Sequence, residues 1–207
     1  MTSETFIDEV AADNQTALSR LGSSKALFAY TDGDLEDSTV LRAAADAEFH
    51  AAETYRQWAA ADAAAADAWA ETAAEERDHY DSVLAVLETE HTPGEPPPIH
   101  VYLREQTTTA TRIGAFIGRT LAASRSKDQY TGYFVGQANP QLADLFRELG
   151  TDLEDQRDRA ESLLETYSET DADYDAAATA ATAAIQTAYE DYVDTLEGLG
   201  VNPKPVC

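Results

Sequence analysis

From Val40 to Glu88 the chain contains neither glycine nor proline, the residues that most readily end a helix. Alanine dominates the tract and its apolar positions recur at helical spacing, so the reading is helix throughout. One helix of ~49 residues would be ~74 Å long at 1.5 Å per residue. A globule of 207 residues has a radius of gyration of only ~17 Å. The tract must therefore fold back on itself. The turn is expected near Ala60 to Asp67, where the aromatic stripe lapses and an Asp can cap the next helix.

Gly and Pro are confined to a few breaks elsewhere, and no convincing strand pattern appears. An amphipathic helix is expected over 3–21, closed by Gly22, with a short helical turn around Lys25 to Tyr30 and a loop through Asp32, Gly33 and Asp34. Ser38 or Thr39 caps the first half of the long tract. The stretch from His91 to Ile99 is too proline-rich for helix and reads as a crossover between two helical pairs. The expected class is all-α, one domain over 1–207, with core helices at about 39–60, 67–89, 101–126 and 139–168. Extra helices are expected at about 3–21 and 171–199. Asp128 to Gln137 reads as an irregular Tyr-rich stretch in which Tyr130, Tyr133 and Phe134 anchor a loop. The last helix carries an apolar stripe from Tyr174 to Leu196, expected to pack on the bundle rather than to form a homodimer seam.

Charge narrows the function classes. With 14 Lys+Arg against 39 Asp+Glu the net charge is −25, a surface that repels nucleic-acid phosphate. No apolar run approaches a membrane span, and the amino terminus lacks a basic start and apolar core, so a cytoplasmic protein is expected. Only Lys25, Lys127 and Lys204 are lysine, and an acid-rich, lysine-poor chain with 9% aromatics is similar to proteins of salt-loving microbes. The single cysteine, Cys207, supports neither an internal disulfide nor a Cys-type metal site and reads as a flexible thiol.

Three polar residues interrupt the apolar stripes of the long tract. In its first half the stripe is Leu41, Ala44/Ala45, Glu48, Ala51/Ala52, Tyr55 and Ala59. In its second half the stripe is Trp69, Ala73, Glu76, His79/Tyr80, Val83 and Val86/Leu87. Glu48, Glu76 and His79 thus fall where burial is expected, and a buried charge is costly unless paired, protonated or metal-bound. Two carboxylates and an imidazole across one hairpin suit a hard metal ion. They equally suit a metal-free core in which His79 hydrogen-bonds Glu48 or Glu76. His50 and Glu53 share the i,i+3 spacing but fall beside the stripe, and His91 and His100 flank the crossover, where solvation is expected.

The sequence from Glu48 to Tyr55 has the Glu-x-x-Ala-x-x-x-Tyr spacing of the first core helix of rubrerythrins, and Glu71 to Leu84 resembles their second, with a Glu-Thr-Ala lead-in before Glu76-x-x-His79. Detailed similarity covers about residues 40–88, with a fainter echo over 142–146. The resemblance implies a ferritin-like four-helix bundle with a long crossover between its second and third helices. It also implies iron or manganese at Glu48, Glu76 and His79 and, if active, oxidoreductase chemistry on peroxide or ferrous iron.

The family pattern is incomplete here. A ferritin-like di-iron site takes one Glu from each of two helices and Glu-x-x-His from each of the others. The fourth helix has Leu153 and Gln156 where Glu and His would stand, with Glu154 and Asp155 beside the stripe. The third offers Ile113, Phe116/Ile117 and Leu121, with Gly114 and Gly118 for close approach, and no carboxylate. The rubredoxin module is also absent. Three readings follow: a single ion on Glu48, Glu76 and His79, completed by water or Gln156; two half-sites joined across a homodimer, as in the encapsulated ferritins; or a metal-free scaffold or regulatory module. The first is favoured over the last by a modest margin.

Overall fold

The computed structural model describes residues 3–204, so Cys207 lies outside the described residues. The fold is all-α, and its elements in chain order are α1 (Ser3–Asp13), α2 (Gln15–Leu21), α3 (Ser24–Tyr30), α4 (Asp37–Ala61), α5 (Ala66–Val86), α6 (Pro98–Arg104), α7 (Thr109–Gly136), α8 (Pro140–Tyr167) and α9 (Asp171–Gly198). No strand occurs among the described residues, and none of the described helices is long and apolar enough to cross a membrane.

The long tract breaks within the expected window, between Ala61 and Ala66. Its turn is held by a buried anchor instead of a capping Asp. Asp62 is buried and accepts hydrogen bonds from Trp69 Nε1 at 3.3 Å and Thr109 Oγ1 at 3.0 Å, and pairs with Arg112 at 3.3 Å. Burial opposes its charged form, but these contacts outweigh it and hold the Asp62 carboxyl below its usual range. At the other end α4 starts at Asp37 with Glu36 in the cap position and no side-chain cap from Ser38 or Thr39; Asp34 ties the preceding turn to the helix, accepting from the Glu36 N–H at 3.1 Å and the Thr39 hydroxyl at 2.7 Å.

Three helix boundaries differ from the sequence expectation, each for a local reason. The segment 3–21 divides at Asn14, whose buried amide donates to Val10 O at 2.9 Å and Thr182 Oγ1 at 3.1 Å and accepts from Gln186 at 2.8 Å, tying the break to α9. The third core helix is interrupted after Arg104 and restarts at a Thr108/Thr111 capping box. The Tyr-rich stretch is helical up to Gly136, because Tyr130 and Phe134 lie one turn apart and both stack on Phe146 of α8, at 4.9 and 5.5 Å. Stacking of this kind contributes ~0.5–1.5 kcal/mol per pair beyond burial, enough to carry the helix through Gly132. Asn139 then caps α8, accepting from Leu142 N, with Pro140 at its start.

Helices α4 and α5 form one hairpin, α7 and α8 a second, and residues 87–97 cross between them. Aromatic rings join the hairpins: Phe116 of α7 meets Tyr55 of α4 at 5.3 Å and Trp69 of α5 at 5.5 Å. The stripe of α9 is buried within the same chain along α7. There Gly114 and Gly118 serve α9, not the opposing hairpin, because a Cβ at either position would overlap the carbonyl of Ala177 or Ala181.

Candidate metal centre

Four helices deliver polar side chains to one buried region between the hairpins. Glu48 comes from α4, Glu76 and His79 from α5, Arg119 and Lys127 from α7, and Gln156 from α8; all six are buried, and Glu48, Glu76 and Gln156 are fully so. The i,i+3 spacing places Glu76 and His79 on one face of α5. Glu48, Glu76 and His79 each offer a ligand atom within 4.8 Å of the others, so the group could hold a metal ion.

Cations from α7 already neutralise both carboxylates. Arg119 donates through Nη1 to Glu76 Oε1 at 2.5 Å and through Nη2 to Glu76 Oε2 at 3.0 Å. Gln156 Nε2 donates to Glu76 Oε1 at 2.9 Å, and Lys127 Nζ donates to Glu48 Oε1. His79 Nε2 lies 2.9 Å from Asp152 Oδ2, whose side chain is half-exposed, while its Nδ1 sits 3.8 Å from both Glu48 Oε2 and Glu76 Oε2. Burial disfavours every charge here, but pairing prevails. Against burial, Arg119 and then His79 hold the Glu76 carboxyl well below the usual carboxylate range. Against burial likewise, Glu48 and Glu76 push the His79 imidazole up to about 10, which leaves it protonated at neutral pH. Burial raises the Tyr55 phenol, whose ring lies 5.9 Å from the Arg119 guanidinium.

A two-metal centre does not fit this donor set. Where a second ligand half would stand, the chain places Arg119, Lys127, Gln156 and the buried Leu153; two of these are cations that repel a metal. A single ion retains two favourable features. Glu48 Oε2 and His79 Nδ1 are both buried without a hydrogen-bond partner among the described residues. Residues of α7 and α8 of the same chain already occupy the carboxylates, at the positions a second copy would have to take.

The structure brings together all three sequence-derived ligands and adds Gln156 as a donor to Glu76, while Glu154 and Asp155 are exposed as expected. Arg119, Lys127 and Asp152 are the members that periodicity missed. One signal for Lys127 was present: it is one of three lysines and continues the stripe that leads to Tyr130 and Phe134. The expectation for the two histidines that flank the crossover, His91 and His100, requires correction, since neither side chain is solvated. His50, beside the stripe on α4, is buried as well, with Nε2 2.9 Å from Gly94 O. The His91 ring bridges Tyr80 and Asp46, each at 3.1 Å, and His100 is 3% exposed. The crossover folds back over α4, and these rings tie it down. Glu53 stays at the surface, paired with Arg56 at 2.7 Å.

Comparison with family models, curated proteins and solved structures finds no match for this chain.

Proposed function

We propose that the chain is a single ferritin-like domain, similar to the rubrerythrins, in which internal cations have taken over the electrostatic task of metal ions. It would then be a helical scaffold or regulatory module that folds without metal and performs no di-iron chemistry. The observation that carries this reading is the bidentate hold of Arg119 on Glu76, with Lys127 on Glu48 beside it. Arginine does not give up its proton in proteins, so this counter-charge is present whatever the metal supply. The order of hairpin, crossover and hairpin, with carboxylates and His79 facing inward, supports the ferritin-like arrangement.

A second reading is favoured by Glu48 Oε2 and His79 Nδ1, which lack hydrogen-bond partners among the described residues. In it one divalent ion, iron or manganese, is held by Glu48, Glu76 and His79. Such an ion would supply Lewis-acid or redox chemistry, and its binding would require His79 to lose its proton. The experiment is elemental analysis of protein purified in high salt without chelators, beside Glu76→Gln, with melting curves in EDTA and in added Mn²⁺. The first reading expects no stoichiometric metal and unchanged melting. About one iron or manganese per chain, lost in the variant, would overturn it in favour of the second.

A further inference from the structure

Beside the ion-pair network, and separate from the question of metal, a cavity of about 400 Å³ opens between α3, α4, α7, α9 and the proline crossover. That volume lies within the range of small-molecule sites and far exceeds the needs of a bare ion. Its mouth and walls carry Asp32, Asp46, Glu95 and Asp191. Among the described residues the one cation in its lining is Arg119, whose charge is already taken by Glu76. Asp191 is half-buried on α9 and has neither an ion pair nor a hydrogen bond among the described residues; its charged neighbours are Asp194 and Asp32.

Two buried polar groups point independently to a ligand. His100 and Tyr130 are each 3% exposed, and both line the cavity. His100 uses Nδ1 toward Thr54 Oγ1 at 3.5 Å, while its Nε2 and the Tyr130 hydroxyl have no hydrogen-bond partner among the described residues. Burial holds the His100 imidazole well below its ordinary range, so it is neutral and can accept or donate one hydrogen bond. Neither atom is sealed off from the cavity, so each is open to a hydrogen bond with a bound molecule.

We infer that this cavity binds a small organic cation, an amine or guanidinium with an apolar or aromatic body, its charge at Asp191 and its body against His100, Tyr130 and the alanines of α7. The carboxylates of the cavity do not converge as metal ligands do: among the described residues Glu48, Glu76 and His79 are the group that could. Tyr30 and Tyr130 both line the cavity and add aromatic surface for the body of such a molecule.

The test is NMR titration of the full chain in high salt with tyramine, 4-ethylphenol and 4-hydroxyphenylacetate, which share a ring and differ in charge, and with agmatine as a cation lacking a ring. Tyramine or agmatine should saturate with Kd below about 1 mM, and the neutral and anionic probes should bind at least about tenfold more weakly. Asp191→Asn should weaken the cation about tenfold, Ala123→Leu should block it by filling the cavity, and the exposed Asp194→Asn should leave it unchanged. Should Asp191→Asn fail to fold, Ala123→Leu carries the test, since Ala123 is only partly buried. Absence of saturation by either cation at about 10 mM, equal binding of the three ring probes, or binding that survives Ala123→Leu overturns the inference. None of these results bears on the metal content, so the two readings fail separately.

Discussion

Arg119 of α7 holds both carboxylate oxygens of Glu76 of α5, at 2.5 and 3.0 Å, with both side chains removed from solvent. The contact links the two hairpins at their centre. Desolvation opposes such a pair, and geometry of this quality together with the further bond from Gln156 offsets it. Fold, charge balance and absence of a second ligand set therefore meet in one contact.

Arg119→Leu should destabilise the protein by about 3–5 kcal/mol, because Glu76 then stays buried without its bidentate partner, keeping only Gln156 and the more distant His79. Adding Glu76→Leu to that variant should restore most of the loss, since two apolar groups of similar volume replace a complete pair. Denaturant melts of the four combinations give the coupling directly. An additive result would show that Glu76 does not depend on Arg119.

Stability should vary with pH at both edges of the network. His79 is raised from its ordinary 6.5 to about 10, so its contribution is complete below about 6.5 and is lost as pH rises through 10. Glu76 is depressed, so its contribution is present above its ordinary 4.5 and is lost as the medium turns acid. Melting temperature against pH should therefore show a plateau between roughly 5 and 6.5 with a decline on both sides. His79→Gln should flatten the alkaline limb and leave the acid limb in place, because Arg119 still holds Glu76 down, and an unchanged alkaline limb would contradict the assignment.

How much of this was legible in the sequence follows from what periodicity measures. Glu48, Glu76 and His79 stood out because each interrupts an apolar stripe on a helix whose register was unambiguous. Arg119 and Lys127 did not, because Gly114 and Gly118 mark a second buried face of α7, against α9, which obscures where the first one runs. Tyr130 and Phe134 were assigned to a loop because local propensity near Gly132 outweighed a stacking partner 12 residues beyond Phe134, at Phe146. The burial of His91 and His100 at the crossover is hidden for the same reason: their partners Asp46 and Thr54 are distant in sequence.

Gly114→Ala tests the close approach of α7 and α9. A methyl there meets the backbone carbonyl of Ala177, which cannot rotate away, so α9 must shift along its length. Overpacking of this kind costs about 1–3 kcal/mol. Gly132, with open space around its missing side chain, is the control: Gly132→Ala should be neutral or slightly stabilising through helix propensity. Thermal melts of both variants separate steric demand from propensity, and equal melting temperatures would sink the packing account.

Salt should act on the surface and leave the core network alone. A net charge of −25 on this chain repels itself in dilute buffer, and the Debye length falls from ~30 Å at 0.01 M to ~3 Å at 1 M salt. The melting temperature should therefore rise between dilute buffer and molar KCl. Arg119 and Glu76 are buried and in direct contact, so the energetic cost of Arg119→Leu should vary far less with salt than the overall stability does. If the cost of that substitution fell in step with the overall salt effect, the pair would be solvent-accessible in solution, and its role as an internal substitute for metal charge would fail with it.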